Sequence, residues 1–324
     1  MRNMGRIILF YAFFAIFLWS CKSDKIDPVY RQHMCNFVEA ISTYVKSINP
    51  DFIIIPQNGI ELVSENGEED GTPSYSYLQA IDANGQEDLF YGYLRDDRET
   101  PRDERNYLIS FLNISKDAGK MILVTDYCSS RNNMDDSYQK NESKGYISFA
   151  ADHRELDNIP SYPSSPHNVN SDDIMSLSQV RNFLYLINPG NFATKEAILQ
   201  AIESTNYDLI IVDLFFEENI SLTPSEVSQL KVKQNGGSRL VVCYMSIGEA
   251  EDYRYYWQNS WQTDRPEWLD RENPDWEGNY KVKYWYPAWQ NIIFGNDESY
   301  TKRILDAGFD GAYLDLIDAF EYYE

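Results

Sequence analysis

Residues 209–213 read Leu-Ile-Ile-Val-Asp. Three of the first four side chains are β-branched and none is polar, so the run reads as a strand covered on both faces, as in a parallel sheet. It ends on a carboxylate. Seven other short runs resemble it. They are Phe52-Ile53-Ile54-Ile55, Met121-Ile122-Leu123-Val124, Tyr146-Ile147-Ser148-Phe149, Phe183-Leu184-Tyr185-Leu186-Ile187, Leu240-Val241-Val242-Cys243-Tyr244, Val282-Lys283-Tyr284-Trp285 and Ala312-Tyr313-Leu314. Amphipathic helical patterns at residues 35–48, 194–204 and 299–307 lie between them. Strands alternating with helices predict a (β/α)8 TIM barrel, with a doubly wound sheet as the alternative.

The length of 324 residues suits either two ordinary domains or one barrel of roughly 250 residues with additions. Residues 152–180, with Pro160, Pro163 and Pro166 among Ser, Asn and Asp, read as a linker. Three of the predicted strands precede it and five follow. Either there are two small domains or both halves close one barrel.

Fifty-one acidic residues face 28 basic ones, a formal charge of −23, which argues against a nucleic-acid partner. The three histidines, His33, His153 and His167, lie outside apolar runs, which disfavours a Ser–His–Asp triad or a histidine-rich zinc site. No Asp-x-Asp-x-Asp-Gly calcium loop is present, and neither a metal nor a cofactor is expected. Residues 1–21 begin with Arg2 and Arg6, continue through an apolar run at 7–19 and end in Leu18-Trp19-Ser20-Cys21. The run is too short to span a bilayer and has the length of a signal-peptide core. Its end resembles a bacterial lipobox, with Cys21 as the lipidated residue. The expected location is therefore the bacterial cell envelope, lipid-anchored at the outer membrane or cell surface. Cys35, Cys128 and Cys243 then remain, and without CxxC spacing they form neither a disulfide framework nor a metal knuckle.

In a barrel, functional groups gather at the carboxyl ends of the strands. Pro56-Gln57-Asn58-Gly59-Ile60-Glu61, Thr125-Asp126-Tyr127, Asp213, Met245-Ser246-Ile247-Gly248-Glu249, Tyr286-Pro287 and Asp315-Leu316-Ile317-Asp318 follow six of the predicted strands. All but one of these ends carry a carboxylate. Glycoside hydrolysis needs one acid to protonate the leaving oxygen and a second to attack the anomeric carbon or activate water. Aromatic faces hold the sugar rings. Any one of these acids could equally cap a following helix, as Asp318 would.

At these positions the sequence resembles glycoside hydrolase family 114, the endo-α-1,4-polygalactosaminidase-like barrels. The matching segments include residues 181–190 (RNFLYLINPG), 208–215 (DLIIVDLF), 242–252 (VCYMSIGEAED), 273–276, 284–294 (YWYPAWQNIIF) and 307–322 (AGFDGAYLDLIDAFEY). Before the linker, residues 49–61 (NPDFIIIPQNGIE), 85–92 (GQEDLFYG), 120–127 and 145–151 also match. The family order starts at the segment like 181–190, so the resemblance implies a circular permutation: strands six to eight come first, then the linker, then strands one to five. Residues 29–324 would form a single barrel. The resemblance further implies Asp315 as nucleophile and Glu61 as general acid/base, or the two in exchanged roles. Asp213, Tyr244, Ser246, Glu249, Trp285, Asp126, Tyr127 and Asn58 would line the sugar cleft. The implied substrate is an α-1,4-linked galactosamine polymer, partly deacetylated and so cationic. A non-catalytic carbohydrate-binding lipoprotein is the alternative.

Overall fold

In the computed structural model, residues 28–217 and 220–324 are described. The leader and Cys21 lie outside them. Strands β1 (Ile53–Pro56), β2 (Ala83–Glu87), β3 (Met121–Tyr127), β4 (Ile147–Ala151), β5 (Phe183–Tyr185) and β6 (Leu209–Asp213) alternate with helices α1 (Pro28–Ile48), α2 (Tyr75–Ala80), α3 (Arg102–Asp117), α4 (Arg131–Lys144) and α5 (Lys195–Glu203). A short antiparallel pair, β7 (Phe215–Glu217) and β8 (Ile220–Ser221), precedes α6 (Pro224–Leu230) and β9 (Leu240–Ser246). Strands β10 (Glu249–Glu251), β11 (Leu269–Glu272) and β12 (Asn279–Val282) form a small antiparallel sheet. Helices α7 (Pro287–Ile293) and α8 (Tyr300–Ala307) then lead to β13 (Gly311–Asp315).

Local chemistry explains these boundaries. The Thr194 hydroxyl caps α5 by accepting from the Ala197 amide at 3.2 Å. Thr223 and Glu226 form a reciprocal capping box around Pro224 at the start of α6. Gly145 and Gly308 end α4 and α8 in the left-handed conformation.

The strands assemble into two all-parallel sheets, one in the order β1-β13-β9-β6-β5 and one in the order β2-β3-β4. The sheets adjoin at both edges. Gln57 bridges Gly85 in parallel fashion, and the Asp82 amide donates to the Ile54 carbonyl at 2.9 Å. At the other edge β4 lies beside β5, with the Phe149 and Phe183 ring centroids 5.7 Å apart. The architecture is α/β around parallel strands, compatible with a TIM-like fold. One hydrophobic core takes residues from both sides of 152–180.

Two sequence expectations need correction. Residues 282–285 are not a parallel strand. The chain there leaves β12, which pairs antiparallel with β10 and β11, and turns into α7 at Pro287. The eighth parallel strand is β2, whose sequence Ala-Asn-Gly-Gln-Glu has no β-branched residue. Its side chains are matched one by one instead. Gly85 leaves room for Tyr313, whose hydroxyl would lie 2.0 Å from a Cβ at that position, and Ser115 donates to Asn84. Four parallel strands therefore lie on each side of residues 152–180.

Those residues carry no helix or strand beyond a 3-10 turn at Leu177–Gln179, yet they are fastened at both ends. Leu156, Ile174 and Val180 are buried. Asn170 donates to both Asp208 oxygens, at 3.1 and 2.9 Å, beside a Lys233–Asp208 ion pair of 2.9 Å whose side chains are both fully buried. The segment thus runs from the carboxyl end of β4 back to the amino end of β6.

Candidate active site

A cavity of about 470 Å³ opens at the carboxyl ends of the parallel strands. At its floor Gln57, just past β1, joins two carboxylates. Its Nε2 donates to Glu87 Oε2 at 2.7 Å and to Asp315 Oδ1 at 3.0 Å, while its Oε1 accepts from the Tyr185 hydroxyl at 2.9 Å. The two bonded carboxylate oxygens are therefore at most about 6 Å apart, close enough to act on one glycosidic linkage.

Each acid is fixed by further donors. Tyr244 donates to Asp315 Oδ2 at 2.7 Å, and the Leu316 amide to Oδ1 at 2.8 Å. Leu316 holds φ 59°, a left-handed conformation that is strained for a branched side chain and turns this amide onto the carboxylate. Gly248 permits the turn, because a Cβ there would lie 2.3 Å from the Leu316 carbonyl. Glu87 accepts from Asn58 Nδ2 at 2.9 Å and from the Tyr127 hydroxyl. Arg154 lies over the Tyr127 ring at 4.2 Å and is itself bound to Asp88 and Asp96, at 2.7 and 2.6 Å. The segment between the two halves thus supplies part of the site.

The field in the cavity is negative. Glu87, Asp213, Glu249, Glu251, Asp315 and Asp318 line it, against Arg154 and Arg254. Both arginines are already paired. Arg254 binds Asp213 at 3.0 and 2.7 Å and Glu251 at 2.6 and 3.1 Å. Burial, reinforced by Glu87, pushes the Asp315 carboxyl up to about 7. Burial and then Asp315 raise Asp318, while burial raises Glu249 and Asp213, the latter against the pull of Arg254. Among the described residues no group of His, Cys, Asp and Glu is placed to hold a metal ion.

Of the residues expected from sequence, Asn58, Tyr127, Asp213, Tyr244, Glu249 and Asp315 line this cavity. The structure does not bring Glu61 to Asp315. Glu61 sits on a 3-10 turn outside the cavity and accepts from the Tyr107 hydroxyl at 2.9 Å. Asp126 is buried beneath the cavity wall, where four donors (the Phe90 and Tyr91 amides, Ser137 and Asn141) occupy its carboxylate. Ser246 bonds the Glu249 backbone and shapes the turn. Trp285 packs between Tyr30 and Tyr323, at 5.1 and 4.9 Å. Glu87, Gln57, Tyr185, Arg154 and Arg254 are the residues sequence reasoning missed. Glu87 stands in the segment GQEDLFYG at the end of β2, which lacks the β-branched run that marks the other strand ends.

Residues 187–323 match the model of glycoside-hydrolase family GH114. This part of the chain is similar to that family. The GH114 span contains Asp213, Tyr244, Arg254 and Asp315, whereas Gln57, Asn58, Glu87, Tyr127 and Arg154 precede it. The chain is also 39% identical over 181 residues to an uncharacterized protein of Methanocaldococcus jannaschii, covering 55% of this chain and 49% of that one. It is 44% identical over 124 residues to an uncharacterized protein of Thermotoga maritima, covering 38% of this chain and 36% of the relative. A Deinococcus radiodurans protein is 39% identical over 126 residues, or 39% and 38% of the two chains. The chain thus spans less than half the length of each of these relatives.

Proposed function

We propose that the protein hydrolyses an α-1,4-linked galactosamine-containing polysaccharide with Asp315 and Glu87 as its carboxylate pair. The observation that carries this reading is the bridge from Gln57 to both acids at 2.7 and 3.0 Å. Two carboxyls this close suit the two steps, one attacking carbon while the other moves the proton. Asp315 attacks the anomeric carbon from its fixed seat against the Leu316 amide. Glu87 protonates the leaving oxygen and then activates water, with retention of configuration. The six carboxyl groups lining the cavity outnumber its two arginines, both already paired, and this favours a cationic amino sugar over a uronic acid.

The eight parallel strands that adjoin at both sheet edges support reading the whole as one closed (β/α)8 barrel. Helix α1 packs against the 3-10 turn that follows β13, with a 3.0 Å ion pair from Arg31 to Glu324, and this supports the permuted strand order. Cys21, as a lipid attachment site, would hold the enzyme at the cell envelope.

The test compares wild type with Asp315→Asn, Glu87→Gln and Glu61→Gln on defined amino-sugar polymers, following reducing ends and the anomer first formed. Asp315→Asn and Glu87→Gln should each lose at least about a hundredfold in rate, the contribution of a positioned acid or base. Glu61→Gln should stay within a few-fold of wild type. Full activity in Glu87→Gln together with a dead Glu61→Gln would overturn the pair, and an inverted first product would overturn the mechanism.

A further inference from the structure

Beyond the reacting pair, one wall of the cavity carries a feature that hydrolysis at the floor does not use. The β10-β12-β11 sheet is inserted between β9 and α7, and residues 273–278 connect β11 to β12. At the tip of that connection Trp276 lines the cavity with 55% of its surface exposed. The other five described tryptophans are engaged in ring pairs. Trp257 meets Trp261 at 5.3 Å, Trp261 meets Trp268 at 5.0 Å, Trp268 meets Trp289 at 5.0 Å, and Trp285 meets Tyr323 at 4.9 Å. Trp276 has no ring or cation partner among the described residues. An indole is among the largest apolar surfaces a side chain can offer, and burial is its ordinary fate.

The loop that presents it is held rigidly. Asn273 Nδ2 donates to Glu249 Oε1 at 2.9 Å, and Glu249 also accepts from the Tyr322 hydroxyl at 2.9 Å. The Asn273 amide donates to the Asn279 carbonyl at 2.7 Å, and the Gly278 amide to Glu272 Oε1 at 2.9 Å. Gly278 takes φ 81°, and a Cβ there would lie 2.8 Å from Asp252 Oδ1. The indole is therefore presented on a loop tied to the cavity's own buried carboxylate. Exposed Asp275 and Glu277 flank it and suit a positively charged ring.

We propose that Trp276 is the platform of an outer sugar subsite, on which a pyranose unit remote from the cleaved bond stacks its C–H face. This rests on the glycosidase reading and extends it: the pair at the floor acts on one linkage, while the indole at the mouth selects for chain length. Binding energy from a remote unit then contributes to holding the reacting bond at the pair.

The test uses the full chain carrying Glu87→Gln to stop turnover, with and without Trp276→Ala or Trp276→Phe. Galactosamine oligomers of increasing length are titrated by calorimetry. Affinity should rise with length in the parent, fall about tenfold for the longest oligomers in Trp276→Ala, stay unchanged for the shortest, and be largely kept in Trp276→Phe. Equal loss at every length, or none at any, would overturn the subsite. Wild-type turnover of the same oligomers, measured in parallel, reports on the glycosidase reading independently.

Discussion

Replacing Arg254 with Met should expose how much of the cavity wall depends on a single cation. Arg254 is the shared partner of two buried carboxylates, Asp213 at 7% and Glu251 at 3% exposure, through four bonds of 2.6 to 3.1 Å. Its guanidinium also lies 5.2 Å from the Tyr253 ring centre and 5.7 Å from that of Phe215. Met keeps most of the apolar stem, so the loss is mainly electrostatic. Removing one partner of a buried ion pair costs about 3–5 kcal/mol, because the charge left behind stays buried and uncompensated. At about 2 °C per kcal/mol for a protein of this size, the melting temperature should fall by about 6–10 °C.

The loss should depend on pH in one direction. Burial already raises the Asp213 carboxyl, and without Arg254 it rises further. A carboxyl raised by folding contributes most below its unfolded value and is destabilising once ionised, so stability falls as pH rises through the folded value. In scans at about pH 8 and about pH 5 the gap between variant and wild type should therefore be larger at the higher pH. Scanning calorimetry of the full chain at both pH values is the assay. A shift below about 2 °C, or an equal shift at both pH values, would refute the argument that two stranded carboxylates set the cost. The same scans bear on the barrel reading: one wild-type transition is expected, and two separable ones would divide the halves.

The pH–rate profile of the wild type should have its acid limb near the value of about 7 to which burial and Glu87 push Asp315, because the attacking carboxylate must be ionised. In Glu87→Gln, assayed on a substrate whose leaving group needs no acid, activity should rise with pH through a limb shifted below that of wild type, since a like charge has been removed. A limb unchanged or moved upward would contradict the coupling. For the anchor, Cys21→Ser should move the protein from the envelope fraction to the soluble fraction. Retention in the envelope would dispose of Cys21 as the attachment point.

The local chemistry of the strands was largely legible in the chain. Runs such as Leu209–Asp213 announce two-sided burial by having no polar face. The same reasoning failed at residues 83–87 and 282–285. Strand propensity there is set by partners far along the chain: Tyr313 fills the space above Gly85, and Ser115 satisfies Asn84.

That failure carried the site with it. The sequence determined that carboxylates stand where strands end, and it singled out Asp315, Asp213 and Tyr244. Which second acid meets Asp315 is a question of strand neighbours rather than of residue type. Glu61 is only four residues beyond Gln57, but it turns away on Ile60–Val63 towards Tyr107. Glu87, 30 positions from Gln57, is brought to its amide because β2 lies beside β1. A hydrogen bond of 2.7 Å across such a separation has no signature in a single chain of letters; only the tertiary structure could decide it.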